Sequence, residues 1–392
     1  MKILHVLKTS SGGDWAARQV TELTRRGVEV HVIVPSSHGS TMELWKNSGA
    51  QMHFANLDFP VRAPWKLWKR LKTARALVAQ IQPQIIHSHF VGTTLTLRLA
   101  LGKKHPIPRF FQVPGPLHME NSFFRRMEIA TAGPADFWLA SSRYIQGLYL
   151  KAGISADRVF QSYYGLDLEK IASRGSSHLR QNLGLPENTK IITNVSHMYP
   201  PKYYLGQMTG LKCHEDFIDA LTIVTKTRPD VVGVLVGGAW GAAQAYEKRL
   251  RAKAFRQAGD RIHFMGNRPA LEIPGIWADS DLAVHVPRSE NCGGVVEPLL
   301  AAVPVIASRV GGIPEVIIEN QTGSLVSSRN PAELAAKIIQ TLDQLPQAKV
   351  QAQKGQALVR ELFEIRPIVE DLLKIYQQRM TAPRFPTAEV KP

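Results

Sequence analysis

The stretch KILHVLKTSSGGDWAARQVTELTRRGVEVHVIVP, residues 2–35, decides the fold class. Residues 2–8 predict a buried strand, the turn SSGGDW follows, and AARQVTELTRRG has a helical pattern closed by Gly27. Residues 28–35 predict a second strand. A strand, a helix and a second strand in this order form the repeating unit of a parallel sheet.

The same alternation continues through the first part of the chain. Apolar segments separated by helical patterns predict six or seven strands, enough for one complete doubly wound domain. The further strands are predicted at residues 84–90, 109–115, 137–142 and 159–165.

A polar segment, LDLEKIASRGSSHLRQNLGLPENTK, separates this series from a second one. The second series predicts strands at 191–197, 230–239, 261–266, 281–287, 304–312 and 323–327. The fold class is therefore α/β, with two Rossmann-like, doubly wound parallel-sheet domains facing across a cleft. We place the domains at residues 1–168 and 186–365, followed by a helix at 366–380 that packs back on the first domain and by a flexible tail at 381–392.

Composition limits the classes of function. The chain has 392 residues, a formal net charge of +16 and two cysteines, Cys213 and Cys292, which fits a folded protein of a reducing compartment with an anionic partner. The N-terminus lacks the apolar region of a signal peptide, and no apolar run reaches the length of a membrane span. We expect a cytoplasmic protein, and no nucleic-acid motif is present.

A candidate site lies in SENCGGVVEPLLAAVPVIASRVGGIPEVI, residues 289–317. Here Glu290 and Glu297 bracket an Asn-Cys-Gly-Gly segment, and VVEPLL predicts a helix start with Pro298 in its first turn. Backbone N–H groups near Gly293 and Gly294 would suit a phosphate, and each carboxylate would suit a vicinal diol. A ligand with both features is a nucleoside diphosphate sugar. Alternatively, Glu297 complements the helix dipole and the glycines serve packing.

This segment resembles the retaining glycosyltransferases of family 4, which have the GT-B fold, and the resemblance covers nearly the whole chain. It rests on the two acids, the glycines between them, PVIAS at 304–308 and GGIPE at 311–315. The resemblance implies that Glu290 contacts the transferred sugar and Glu297 the ribose. Only six residues separate these acids where the family usually has seven, so Ser289 is a rival for the first role. The expected contacts between them are Asn291, Cys292, Gly293, Gly294 and Val295.

The resemblance extends to other donor-binding residues. Lys212 matches the family lysine that neutralises the leaving diphosphate, and Cys213 replaces the glycine that usually follows it. The usual arginine is missing, and His197, Lys202 and Arg268 are the candidates to replace it. Asp279 and Asp281 form a DxD pattern, which we interpret as structural. We expect neither a metal nor another cofactor.

The first domain carries the remaining candidates. Gly12 and Gly13 resemble the family's N-terminal glycine pair, although such pairs at strand-helix turns are more often structural. His118 resembles the family histidine near the anomeric centre, and His89 and Glu120 are weaker candidates. With Glu290 and Lys212, His118 completes the predicted catalytic set.

Residues 62–75 interleave basic side chains with Trp65 and Trp68 on a predicted helix. This pattern suits the surface of an anionic membrane, and it equally suits a solvated helix with both tryptophans packed inward.

The predicted function is the transfer of a hexose from a UDP-sugar to a saccharide or lipid-linked saccharide in extracellular polysaccharide assembly. Glucose is the candidate hexose. Two other classes remain open. One is a noncatalytic nucleotide-sugar or sugar-binding protein. The other is a dinucleotide-dependent oxidoreductase, although the first turn lacks G-x-G-x-x-G.

Overall fold

The computed structural model describes residues 1–168, 175–203 and 207–381. The chain forms two compact units. Unit 1 comprises Met1–Asp167 together with the chain from Phe363 onward, and unit 2 comprises Leu168–Leu362. The predicted tail, 381–392, lies outside the described residues apart from the backbone of Thr381.

Unit 1 contains a seven-stranded sheet in the order β3-β2-β1-β4-β5-β6-β7, in which all neighbours are parallel. Its strands are β1 Lys2–Val6, β2 Glu29–Val34, β3 Gln51–Phe54, β4 Ile85–His89, β5 Arg109–Gln112, β6 Asp136–Ala140 and β7 Val159–Gln161. Its helices are α1 Asp14–Arg25, α2 Met42–Lys46, α3 Leu67–Ile81, α4 Val91–Leu101, α5 Leu117–Glu120, α6 Ser122–Thr131 and α7 Arg143–Lys151.

Unit 2 contains a six-stranded parallel sheet in the order β10-β9-β8-β11-β12-β13. Its strands are β8 Lys190–Val195, β9 Val231–Val236, β10 Ile262–Gly266, β11 Leu282–His285, β12 Val305–Ser308 and β13 Ser324–Val326. Its helices are α8 Leu179–Asn182, α9 His214–Thr227, α10 Gln244–Ala258, α11 Ile273–Ala278, α12 Gly293–Leu300, α13 Pro331–Asp343 and α14 Leu345–Phe363.

The last described helix, α15 Ile365–Thr381, belongs to unit 1 although it follows unit 2 in the chain. Leu372 and Tyr376 are fully buried in one apolar cluster with residues of the unit 1 sheet. The backbone enters this helix through two hydrogen bonds of Leu166, which donates to Phe363 O at 2.7 Å and accepts from Ile365 N at 3.1 Å. Gly165 is required there, because a Cβ atom would lie 2.7 Å from the Cα of Ile365.

The two parallel sheets confirm the predicted fold class. The sequence patterns located every strand except β3, a four-residue edge strand that has no fully buried residue. The prediction for Pro298 was wrong, because α12 begins at Gly293 and places this proline beyond its first turn. Within the described residues, no helix has both the length and the apolar character that a membrane span requires.

A buried network of charged side chains joins the strands and helices of unit 1. Arg98 donates to Asp136 at 3.0 Å and to Glu128 at 2.8 Å, and Arg109 donates to Asp136 at 2.6 Å. Trp138 Nε1 also donates to Glu128, at 2.7 Å. The side chains of Arg98, Glu128 and Asp136 are at most 1% exposed, so each charge depends on its partners rather than on water.

We expect Arg98→Met to lower the free energy of unfolding by about 3–5 kcal/mol, because it leaves Glu128 buried without its cationic partner and removes one of the two arginines that pair with Asp136. Urea unfolding measures this loss. The control is Arg25→Met, since Arg25 is 55% exposed and lies 3.9 Å from its partner Glu22. The control should cost at most about 1 kcal/mol. Equal losses in the two variants would contradict a structural role for the buried network.

Candidate active site

The strand order of unit 2 reverses between β8 and β11, which are neighbours in the sheet. Ligands of open parallel sheets bind beyond the carboxyl ends of the strands at such a reversal. Lys212 follows β8, at the start of α9, and Glu290 follows β11, just before α12. Sequence positions that are far apart are thus brought together where a ligand is expected.

Glu290 is the centre of this arrangement. Its Oε2 forms an ion pair with Lys212 Nζ and lies 3.3 Å from His285 Nε2. Its Oε1 accepts a hydrogen bond from Asn291 N at 3.0 Å. The side chains of Glu290 and Lys212 are only 13% and 16% exposed, so the pair is largely shielded from water.

The charges of this group depend on one another. Burial favours the neutral form of Glu290, but Lys212 and His285 outweigh that effect and hold its pKa below the ordinary value of 4.5. Burial lowers the pKa of His285 from 6.5, and Glu290 opposes that shift. Glu290 is therefore ionised at neutral pH and can accept hydrogen bonds.

His285 was not predicted as a site residue. It is the last residue of β11, and the sequence LAVHVP after Asp281 is typical of a buried strand with one polar residue. The structure shows that His285 packs against Gly294 at the start of α12, where a Cβ atom would lie 2.1 Å from His285 Nε2. The glycine therefore lets the start of α12 approach the histidine closely.

The glycines of the GGIPE segment, Gly311 and Gly312, also pack against the backbone of Glu290. At Gly311, φ is +55° and a Cβ atom would lie 1.7 Å from the carbonyl oxygen of Glu290. Gly312 N also donates to that carbonyl oxygen at 3.4 Å. The GGIPE segment thus requires a glycine at its first position, since a side chain there would displace the backbone of Glu290.

The other residues predicted between the two acids have different environments. Asn291, Cys292 and Val295 are buried, and the pKa of the Cys292 thiol is raised well above its ordinary value, mainly by burial. Gly293 has open space around its Cα, and Glu297 is exposed on α12.

One candidate for the missing arginine, His197, lies beside aromatic side chains. The ring of His197 is 4.9 Å from that of Trp240, and Tyr199 is 5.4 Å from the same indole. Partial burial and the charge of Lys212 lower the pKa of His197, so it is neutral at pH 7. Lys202 is exposed beside the undescribed residues 204–206.

Arg268, the remaining candidate, is 39% exposed and lies 3.9 Å from Glu272. The DxD carboxylates are used within unit 2. Asp279 accepts from Leu179 N at 2.8 Å and from Ser177 Oγ at 2.7 Å, and Asp281 accepts from Arg180 at 2.6 Å. This agrees with their structural interpretation.

In unit 1, the turn after β1 contains Gly12 and Gly13, whose φ angles are +80° and +83°. Gly13 is the residue that precedes α1, and Thr41 Oγ1 donates to Gly12 O at 3.1 Å. A left-handed backbone at both positions explains the glycine pair.

His118 lies in α5 and is 6% exposed. Its Nε2 is 3.2 Å from the hydroxyl of Tyr149, and burial lowers its pKa to about 3. It is therefore neutral at physiological pH and faces the interior. Glu120, at the end of the same helix, is exposed, whereas His89 is fully buried.

Two family models match the chain. "Glycosyltransferase Family 4" matches residues 15–170, and "Glycosyl transferases group 1" matches residues 178–357. With its two parallel-sheet, Rossmann-like units, the protein is of the GT-B class. More particularly, the chain belongs to the family 4 type of glycosyltransferases.

Curated relatives include two D-inositol 3-phosphate glycosyltransferases. The protein of Corynebacterium diphtheriae is 28% identical over 177 residues, 44% of this chain and 39% of that protein. The protein of Acidothermus cellulolyticus is 24% identical over 321 residues, 76% of this chain and 68% of that protein. The chain thus matches less than half of the length of the first relative and about two thirds of the second.

Solved structures share the fold. Anabaena HepE in complex with UDP and glucose has a TM-score of 0.79 and 22% identity, with 96% of this chain and 100% of that chain covered. Sucrose-phosphate synthase from Thermosynechococcus elongatus has a TM-score of 0.78 and 18% identity, with 96% of this chain and 98% of that chain covered.

We expect Lys212→Met to lower the free energy of unfolding by about 3–5 kcal/mol at pH 7, because Glu290 then keeps a buried charge without its main partner. The loss should shrink as pH falls below about 4.5, since Glu290 in the variant can take up a proton while the native carboxylate remains ionised to lower pH. Chemical unfolding across about pH 3 to 8 measures both trends. Lys248→Met, at an exposed lysine of α10, should cost little at any pH. A loss independent of pH would contradict the proposed charge pairing.

Proposed function

We propose that the protein is a retaining glycosyltransferase that transfers a hexose from a UDP-sugar to a saccharide or lipid-linked saccharide. Glucose is the candidate hexose. The observation that carries the proposal is the convergence of Lys212 and Glu290 at the β8–β11 reversal of unit 2. A cation there would stabilise a leaving diphosphate, and the carboxylate would accept hydrogen bonds from sugar hydroxyls. The family assignment and the complexes of HepE with UDP support the same choice of donor.

In the proposed reaction, the bond between the sugar's anomeric carbon and the diphosphate breaks as the acceptor hydroxyl attacks from the same face. The departing phosphate oxygen takes the proton of that hydroxyl. Lys212 and backbone N–H groups at the start of α12 stabilise the charge that develops on the diphosphate. We propose that this transfer needs no metal, since the lysine supplies the positive charge that a divalent cation would otherwise provide.

Donor binding would change the contacts of Lys212. In the structure the ammonium group of Lys212 is paired with Glu290, so a bound diphosphate must share or replace that carboxylate. When Lys212 turns toward the phosphate, Glu290 retains His285 and the backbone N–H of Asn291. We infer that these two hydrogen bonds, together with those from the sugar hydroxyls, partly compensate Glu290 for the loss of its counter-charge.

Two classes of acceptor suit the proposed reaction. A saccharide or lipid-linked saccharide of extracellular polysaccharide assembly follows from the family resemblance. The names of the relatives favour a second candidate, a phosphorylated cyclitol. Both acceptors present hydroxyl groups, but only the second places a phosphate beside the reacting ring.

A nucleotide-sugar panel tests the proposed activity. We expect a UDP-hexose to raise the thermal midpoint and to be turned over, with lipid-linked saccharide and inositol phosphate as the two acceptor arms. Lys212→Met should lower kcat by about 10²–10³-fold, the loss typical of one electrostatic contact to the transition state. Lys248→Met, on the exposed face of α10, is the matched control.

Three outcomes would contradict the proposal. Donor binding without turnover with either acceptor would favour a binding protein. Stabilisation by a nicotinamide dinucleotide, and by no nucleotide sugar, would favour an oxidoreductase. Equal activity of Lys212→Met and native protein would remove the role of the ion pair.

We further propose that α3 and the residues before it contact an anionic membrane on the cytoplasmic side. The structure contradicts the alternative with inward-packed tryptophans, because Trp65 is 74% and Trp68 71% exposed. Lys66, Lys69 and Lys72 are exposed on the same segment. Exposed indole rings beside lysines suit the interface of an anionic bilayer. There the aromatic rings insert between lipids and the ammonium groups contact lipid phosphates.

Vesicle flotation tests the membrane contact. We expect the protein to float with vesicles that contain anionic lipid at low salt and to remain unbound with neutral vesicles, because each lysine contributes about 1 kcal/mol near an anionic surface. The double variant Trp65→Ser, Trp68→Ser should bind at least about tenfold more weakly, since it removes two apolar anchors. Phe255→Ser, at a residue of α10 that is 69% exposed, should bind normally. Equal flotation of both variants would refute the proposed surface.

A further inference from the structure

Three histidines from adjacent strands converge inside unit 1. His5 lies on β1 and His87 on β4, and the two are register partners in the parallel pair. His89 follows His87 by two residues and therefore lies on the same face of the sheet. One ring nitrogen of each histidine lies within 4.8 Å of those of the other two, and all three residues are fully buried.

The cluster lies between β1 and β4, the two strands at which the strand order of unit 1 reverses. Ligands of parallel sheets bind beyond the carboxyl ends of the strands at such a reversal. His89 is the last residue of β4 and lies at that end, whereas His5 and His87 lie inside their strands.

Two tyrosines hold the outer nitrogens of the β4 histidines. The hydroxyl of Tyr376 lies 2.6 Å from His87 Nδ1, and that of Tyr164 lies 3.2 Å from His89 Nδ1. The other ring nitrogen, Nε2, is then without a partner among the described residues in His87 and lies 3.1 Å from His5 Nδ1 in His89. Histidines that bind metals are usually oriented in this way, with one nitrogen on the metal and the other hydrogen-bonded to a neighbouring group.

Two ring nitrogens of the cluster lack hydrogen-bond partners among the described residues. His5 Nδ1 lies 3.1 Å from His89 Nε2, but His5 Nε2 and His87 Nε2 have no hydrogen-bond partner among the described residues. The side chain of Gln112 interacts with His87, and its Oε1 is likewise outside hydrogen-bond geometry. Since buried polar atoms are rarely left unsatisfied, the cluster has unused capacity to bind a ligand.

The rings are in the state that metal binding requires. Burial lowers the pKa of all three histidines, that of His5 to about 3. Each imidazole is therefore neutral at physiological pH and keeps one lone pair, which a metal ion needs and a proton would block.

We propose that His5, His87 and His89 form a binding site for a divalent transition-metal cation of the zinc type. Tetrahedral zinc with Zn–N bonds of about 2.0–2.1 Å sets its ligand nitrogens roughly 3.3 Å apart, close to the His5–His89 separation of 3.1 Å. A nitrogen of His87 lies within 4.8 Å of the other two and would have to approach them to complete the set of three. Because Tyr376 belongs to α15, the bound cation would also stabilise the attachment of this helix to the unit 1 sheet.

Direct metal measurement on the full chain without an affinity tag tests this site. We expect one Zn²⁺ per chain by elemental analysis after reconstitution and dialysis, visible absorption bands on substitution with Co²⁺, and a higher thermal midpoint with Zn²⁺ than with chelator. His87→Gln should abolish stoichiometric binding. Tyr376→Phe, which keeps all three ligands, should weaken Zn²⁺ binding by about 10–100-fold, as expected for loss of a group that orients a ligand.

His53→Gln is the matched control, because His31 and His53 form a second histidine pair in unit 1, with their ring nitrogens 3.0 Å apart. This variant should keep the cation. Binding lost in His53→Gln, binding retained in His87→Gln, or no stoichiometric cation at all would each overturn the proposal and leave a hydrogen-bonded histidine cluster. If His87→Gln does not fold, His5→Gln and Tyr376→Phe decide by the same criteria. These readouts do not depend on whether the protein transfers a sugar.

Discussion

A buried carboxylate in each of these sheets is stable only where its charge is balanced, and in unit 2 this constraint fixes the geometry around Glu290. The carboxylate must be met by Lys212 from the loop after β8 and by His285 at the end of β11. These contacts join two neighbouring strands at the point where the strand order reverses. The ion pair therefore holds together the segment in which a ligand of a parallel sheet would bind.

Backbone packing and charge pairing depend on each other in this segment. Gly294 allows α12 to approach His285, and Gly311 allows the next loop to approach the carbonyl of Glu290. A side chain at either glycine would push Glu290 or its partners apart. The glycines that resemble phosphate-binding elements in the sequence thus have a demonstrable packing role, and Gly293, with open space at its Cα, is the one best placed for a close ligand contact.

Much of the fold could be predicted from the sequence because buried parallel strands are continuous apolar runs bounded by turns. The edge strand β3 escaped detection since it is short and half exposed. The start of α12 was misplaced because glycines weaken a helical pattern, although Gly293 and Gly294 lie within the helix. Pro298 then falls beyond the first turn, where the sequence pattern alone would not place it.

The site was only partly predictable for a different reason. Glu290 and Lys212 were proposed through resemblance to the motifs of the family, but their direct pairing depends on strand order, which periodicity does not reveal. The same limit applied to His5, His87 and His89. The alternation in IIHSHF places two histidines on one face, but the third is 82 positions before His87 and meets it only through the β1–β4 register.

The two units share one feature of their strand order. In both, the strand that starts the unit lies beside one that follows a crossover to the other side of the sheet, and polar side chains that would be unfavourable in a continuous apolar core collect between them. In unit 2 they are charged and paired, which suits an anionic ligand. In unit 1 they are neutral imidazoles with unused lone pairs, and a cation is the ligand that such groups accept. The chemistry at each reversal therefore follows from which polar residues the sequence places on the two strands and in the loops after them, rather than from the fold that the units share.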